Sequence, residues 1–315
     1  MTRDVTDISV IVAAYQAAGT IGRALGSIAA QTLKPMEVVV VDDGSTDGTA
    51  SAAEACAEGM DGIRLRVFRS ESNLGAGAAR NRAIDESTQP VLAFLDADDE
   101  WMPEKLERSI AYLEDGNLAL VAHDYVTGEG VDAPRTHCGC RFREGPDPFV
   151  GLYRKGYIPT SSVVTKRSAV LAAGGFDPEL RNAQDFDLWL AMLREPGTPF
   201  LVFAEPLMRY HISPGSIMSH TERRLRCGLA IAVRYFPDLG TRPGSTLMSL
   251  WFRVFALHME ALNVYITQRD LVHLLVCVGA LPVRLVTATA ACLVRPPGPR
   301  GRFLKTPATD GDKAW

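Results

Sequence analysis

Short aliphatic and β-branched runs alternate with longer segments of helical period through the first 115 positions. The runs at 8–13, 37–41, 63–68 and 91–95 are five or six residues long and end in turn-forming or acidic residues. Continuous apolar runs of that length predict strands buried on both faces. Helix-length segments at 20–31, 47–58, 76–86 and 103–114 lie between and after them. In the second, Asp47 suits an N-cap and Gly59 a stop; in the last, Pro103 suits a first turn. Strand and helix alternating over short connections predict an α/β unit with a parallel sheet and right-handed crossovers. Ligands of such sheets bind beyond the carboxyl ends of the strands, so the chemistry is expected there.

The pattern changes after about position 115. Short strands are predicted at 118–123, 161–165, 200–204 and 207–211, helices near 166–173 and 185–194, and a loop-rich stretch at 124–148. Positions 222–294 read as helical and increasingly apolar. The last 24 of these, from Leu271, are long enough to cross a bilayer but contain His273, Pro282 and Arg284. An arginine near the centre costs about 2.5–3.5 kcal/mol on insertion. An interfacial helical hairpin is therefore expected rather than a span, with a helix buried against the body as the alternative. Arg295, Arg300, Arg302 and Lys305 follow, each worth ~1 kcal/mol near an anionic leaflet. The expected organisation is 1–222 as the main domain (halves 1–115 and 116–222), 223–295 as a helical extension, and 296–315 as a flexible tail.

Charge sharpens that division. The 315 residues carry a net charge of −4, which argues against a nucleic-acid partner. Residues 1–222 hold 20 basic and 32 acidic side chains, whereas 223–305 hold 12 basic and 3 acidic. The six cysteines are too sparse and scattered for a disulfide framework, and the N-terminal run lacks the form of a signal peptide. A cytoplasmic chain, peripheral on the inner face of the membrane, is the expectation. Cys138-Gly139-Cys140 beside His137 lacks the second ligand pair a zinc site needs.

Carboxylates cluster where the strands end. Asp42-Asp43-Gly44-Ser45-Thr46-Asp47 follows the second run, and Asp96-Ala97-Asp98-Asp99 follows the fourth. Asp42 and Asp43 can accept hydrogen bonds from a base or ribose, or can form an Asx turn leading into a helix. Alternation along an extended segment puts Asp96 and Asp98 on one side, where they can share a hard cation. Mg²⁺ or Mn²⁺ suits such a pair when phosphate oxygens complete the coordination.

Taken together these motifs resemble the family 2 glycosyltransferases of GT-A fold over about 8–220. The matching segments are Ser9 to Tyr15, Val39 to Asp47, Asn73-Leu74-Gly75 with Ala79-Arg80-Asn81, and Phe94 to Asp99. Further on, Gly174-Gly175-Phe176-Asp177 and Gln184-Asp185-Phe186-Asp187-Leu188-Trp189-Leu190 also match. The resemblance implies a Rossmann-like mixed sheet flanked by helices and an inverting, metal-dependent transfer from a nucleotide-sugar, of UDP type, to a saccharide or lipid-linked acceptor. Cell-surface glycan assembly is the implied setting.

It implies that Ala13, Tyr15, Asp42, Asp43, Gly75, Arg80, Asp96, Ala97 and Asp98 lie at the donor, with the cation on Asp98 and Asp96. Asp185 matches the catalytic base, and Gly175, Phe176, Gln184 and Trp189 lie on the acceptor side, although Trp189 also reads as core. Gln184 replaces the family's usual Glu. His211 would be a further metal or diphosphate contact, but a register set by Gly215-Ser216 puts Ser213 in its place. Gly75-x-Gly77 is only a partial dinucleotide fingerprint. A non-catalytic nucleotide-sugar-binding or membrane scaffold protein of the same fold is the other reading; intact Asp98 and Asp185 favour the enzyme.

Overall fold

The computed structural model describes residues 5–130, 133–142, 147–155, 157–211 and 221–294. The basic positions Arg295, Arg300, Arg302 and Lys305, the tail, and the Ser213 to Ser216 register lie outside them.

Strands β1 (Val5–Ala14), β2 (Lys34–Asp42), β3 (Arg64–Arg69) and β4 (Val91–Asp96) form a parallel sheet in the order β3-β2-β1-β4. Helices α1 (Ile21–Ala29), α2 (Thr49–Glu54) and α3 (Ala76–Glu86) connect them. Beyond β4 the sheet becomes mixed. The two-residue β5 (Glu100–Trp101) is followed by helix α4 (Lys105–Asp115) and by β6 (Leu120–Thr127). A short β7 (Arg135–Thr136) pairs with β6, and β8 (Val164–Lys166) lies antiparallel between β4 and β6. The sheet closes with β9 (Phe200–Tyr210), parallel to β6 and antiparallel to β5.

Alternate residues of the central strands feed two cores. Val10, Val12, Val38, Val40 and Leu95 pack on the α1 and α4 side, and Ile11, Val39, Val41, Leu92 and Phe94 pack on the other. Each fully buried side chain of this kind is worth roughly 1.5–3 kcal/mol. Burial on both faces explains why these strands read as unbroken apolar runs. The second core takes in α5 (Pro148–Lys155), α6 (Arg167–Ala172) and α7 (Gln184–Met192), and extends into α8 (Thr221–Arg234) and α9 (Thr246–Gln268).

Several expected boundaries move. The two strands expected at 200–204 and 207–211 are one, which shifts register against β6 on either side of the Asp124–Pro206 pair. The expected loop at 124–148 holds the end of β6, β7 and the start of α5. The strand expected at 161–165 begins only at Val164, because Thr160–Ser162 forms a 3₁₀ turn in which Thr160 and Ser161 donate to Asp185 and Asp99 and Ser162 to the Pro159 carbonyl. Asp47 stands one residue before the N-cap it was expected to be: Gly48, left-handed, caps α2, while Asp47 Oδ1 accepts from the Thr49 amide at 3.1 Å and Oδ2 from the Ala18 amide at 3.0 Å.

Leu271–Val294 is a single helix, α10, and the hairpin forms between it and α9 about a left-handed Arg269. Its length and composition would allow it to cross a membrane. Arg284, however, turns inward to Glu222 of α8 (3.2 Å) and His258 of α9 (3.3 Å).

Candidate active site

The sheet register brings the strand ends together. Ala14 pairs with Asp42 and Ala13 with Asp96, so both acidic ends flank the end of β1, and Tyr15 emerges half-exposed just beyond it. Asp42 and Asp43 are buried and already engaged. Asp42 Oδ1 accepts from the Ser45 amide at 3.0 Å, while Asp43 accepts from the amides of Leu74 (3.0 Å) and Gly75 (2.7 Å). Asp43 thus pins the loop that starts α3. Gly44, at φ +75°, allows that loop to approach, since a Cβ there would lie 2.7 Å from the Ser72 carbonyl carbon. The Asx-turn reading of this motif describes the geometry, and a donor could share only the remaining lone pairs.

Arg80 is buried on α3 and donates to Asp96 Oδ1 at 2.6 Å. Burial opposes its charge, but the carboxylates of Asp96, Asp185 and Asp98 hold it above the ordinary arginine value. Ala97 is buried, and the Asp98 carbonyl accepts from Arg23 at 2.9 Å. Ser161 ties the acidic motif to the rest of the site. Its hydroxyl donates to Asp99 at 2.6 Å and accepts from the Asp96 amide at 3.0 Å. Burial, then Asp96, pushes the Asp99 carboxyl well above the usual range.

Asp185 occupies the first turn of α7. Its Oδ2 accepts from Thr160 at 3.0 Å and its Oδ1 from the Phe186 amide at 2.8 Å. Burial raises its carboxyl above the ordinary value, against the pull of Arg80. Gln184, also buried, packs beside Gly77, where a Cβ would lie 3.3 Å from its Cγ.

Arg80, Asp96, Asp99, Gln184 and Asp185 line one cleft of about 390 Å³. A carboxylate with a raised pKa, facing a guanidinium across such a cleft, can take a proton from an incoming hydroxyl. Tyr125, Tyr157 and Tyr210 add an aromatic wall, with ring centroids 6.3 and 5.7 Å from Tyr125.

Two expected acceptor contacts are corrected. Phe176 and Trp189 have no exposed surface: they pack edge-on to each other and against Phe94, and Trp189 donates to the Ile158 carbonyl at 3.2 Å. Gly175, at φ +73°, shapes the turn that presents Phe176 to Asn81, whose side chain makes two 2.8 Å bonds to the Phe176 backbone. His211 donates its backbone amide to Asp99, and its Nε2 lies 3.6 Å from Glu100. Burial, then Arg23, holds its pKa down, so the ring is neutral at pH 7. Sequence reasoning passed over Thr160, Ser161, Asp99 and the tyrosines. The hydroxyl-rich Pro159-Thr160-Ser161-Ser162 was the available signal.

Residues 9–170 match the profile of Glycosyl transferase family 2. The chain belongs to glycosyltransferase family 2. The enzyme is 31% identical over 212 residues to the amylovoran biosynthesis glycosyltransferase AmsB of Erwinia amylovora, covering 65% of this chain and 69% of AmsB. It is 36% identical over 201 residues to the succinoglycan biosynthesis protein ExoU of Rhizobium meliloti, covering 60% and 57%. Among solved structures, S. aureus TarS 1-349 in complex with UDP-GlcNAc superposes with a TM-score of 0.64 at 18% identity, over 91% of this chain and 88% of that one. The mannosyltransferase PcManGT from Pyrobaculum calidifontis, in complex with GDP-Man and Mn²⁺, gives 0.56 at 18% identity over 91% and 87%. The glycosyltransferase therefore has the GT-A fold, with its C-terminal helices packed beside it, and the scaffold reading falls away.

Proposed function

We propose that the enzyme transfers a sugar, with inversion, from a nucleotide-diphosphate donor of UDP type to a hydroxyl of a saccharide or lipid-linked acceptor in cell-surface polysaccharide assembly. The observation that carries this reading is Asp185, with its raised pKa, in one cleft with Asp96 and Arg80. The relatives' names support the setting: AmsB is a glycosyltransferase of amylovoran biosynthesis, ExoU a protein of succinoglycan biosynthesis, and the E. coli relative WfgD a glucosyltransferase named for a diphosphoundecaprenol-linked acceptor.

Asp185 takes the proton of the acceptor hydroxyl as its oxygen attacks, worth roughly 10²–10⁴ in rate. Thr160 and the Phe186 amide hold that carboxylate so that it faces the cleft. Arg80 orients Asp96 and adds positive charge where the leaving diphosphate accumulates negative charge. Tyr15 flanks the base, with Ala13, Asp42, Asp43, Gly75 and Ala97 shaping its surroundings.

A divalent cation, Mn²⁺ or Mg²⁺, fits beside Asp98 and Asp96. Among the described residues no three His, Cys, Asp or Glu side chains cluster as a complete metal site. With Asp96 Oδ1 already bonded to Arg80, donor phosphate oxygens and water would have to complete the coordination. Such an ion, when bound, neutralises the leaving diphosphate.

The α9–α10 hairpin serves as a membrane contact. Trp251, Phe255 and Met259 on α9, with Leu275, Val276, Val283 and Val286 on α10, are large apolar side chains left exposed on the two helices. The chain continues past it into the arginines and lysine at 295–305, which complement an anionic leaflet. The enzyme is then cytoplasmic and peripheral on the inner face. A panel of nucleotide sugars screened by thermal shift with and without Mn²⁺ tests the donor reading. A metal-dependent rise for a UDP-sugar supports it, and no shift with any of them refutes it.

A further inference from the structure

The donor-side residues occupy only part of the cleft. On the side of α8 and α9 it is lined by Arg224, Gly228, Arg253, Leu257 and Glu260, with Lys155 of α5. Arg253 is the anomaly there. It is 8% exposed, its guanidinium carbon lies 4.3 Å from the Phe186 ring centre, and its Nε finds no hydrogen-bond partner among the described residues. Burial pulls its pKa down to about 10, which leaves it charged at neutral pH.

The carboxylates sharing the cleft are already committed. Glu260 binds Arg224 at 2.7 Å, Asp96 binds Arg80, Asp99 binds Ser161, and Asp185 binds Thr160 and the Phe186 amide. Arg224 adds repulsion to Arg253, and Glu260 is the carboxylate that offsets it. A buried cation left without a partner is costly, and proteins keep one where a ligand supplies the counter-charge.

We propose that this side of the cleft is an anion subsite, in which Arg253, with Arg224 and Lys155 beside it, receives a phosphate or diphosphate group carried by the acceptor. A guanidinium matches phosphate oxygens bidentately. The inference rests on the acceptor reading above. It adds that the acceptor is anionic and is gripped by the C-terminal helices, next to the apolar hairpin.

Calorimetric titration with geranyl diphosphate, inorganic pyrophosphate and geraniol, in EDTA so that no cation bridges to Asp96 and Asp98, tests it on the full chain. Wild type should bind geranyl diphosphate at least tenfold more tightly than Arg253→Met does, while Arg253→Lys retains most of the affinity and geraniol does not bind. A preference for geranyl diphosphate over pyrophosphate assigns the anion to a lipid carrier; equal affinities assign it to a free or polymeric phosphate. Arg253→Met should also melt higher than wild type, because an unpartnered buried charge is gone. Unchanged affinity in Arg253→Met overturns the subsite, as does a lower melting temperature with unchanged affinity. Should that variant not fold, geraniol binding wild type as tightly as the diphosphate does so instead. A wild type that binds geranyl diphosphate but no nucleotide sugar would refute the donor reading and leave this one standing.

Discussion

Arg234 joins the C-terminal helices to the helix that carries the proposed base. From the end of α8 it donates to Asp177 at 2.7 Å and to Asp187 of α7 at 2.8 Å, and neither carboxylate has exposed surface. In Arg234→Met both charges stay buried and lose this guanidinium, and removing one member of a buried ion pair costs about 3–5 kcal/mol. At ~2 °C per kcal/mol, the low end of the range because this chain is long, the melting temperature should fall by roughly 6–10 °C. Both bonds come from the single nitrogen Nη1, so Arg234→Lys keeps the charge on a shorter side chain and an intermediate loss is expected. The triple variant Arg234→Met, Asp177→Asn, Asp187→Asn removes the stranded charges and should recover part of the deficit. Differential scanning calorimetry at neutral pH measures all three. A fall of under about 2 °C for Arg234→Met, or a triple variant no better than the single, would refute the claim that this triad seats α7.

Other expectations follow from the same geometry. Asp185 has its carboxyl raised by burial, so its charge costs nothing below the unfolded value of about 3.9, and the cost grows as pH rises to the folded pKa. Asp185→Asn should therefore melt above wild type at about pH 7.5 and match it near pH 3.5; a constant difference across that range contradicts the assignment. Gly44→Ala forces a Cβ into the Ser72–Asn73 backbone at positive φ, and should destabilise by more than the ~1 kcal/mol of a strained turn, read from urea midpoints. Leu275→Asp with Val286→Asp, both exposed on α10, should abolish co-flotation with phosphatidylglycerol vesicles and leave the melting temperature nearly unchanged. Retained flotation, or loss of a dimer in its place, would mean that another copy of the chain covers that face.

The central strands were readable because both of their faces are buried, which leaves apolar residues at nearly every position from Val38 to Val41 and from Leu92 to Leu95. Asp42 and Asp96 stood out because carboxylates at the ends of buried apolar strands cost solvation unless something offsets them, whereas Asp185, in the first turn of a helix where acids are common, was singled out only by the family resemblance. The connection at Thr160–Ser162 was not, since β-branched and hydroxyl residues fit a strand equally well until Asp99 and Asp185 are known to compete for their hydroxyls. Phe176 and Trp189 were assigned to the acceptor side by the resemblance of the segments that carry them; a motif match does not say which side chains point inward, and both pack against Phe94. Arg253 lay in an apolar helical run where only the fold shows which helix face meets the cleft.

Asp185 as the base is the assignment on which the proposed transfer depends. With the donor and cation identified by thermal shift, product formation and donor affinity in Asp185→Asn test this most directly. Turnover should fall at least a hundredfold, the low end for a positioned general base, while the donor dissociation constant stays within about threefold of wild type. Turnover within tenfold of wild type would contradict the account, as would loss of donor binding in proportion to activity.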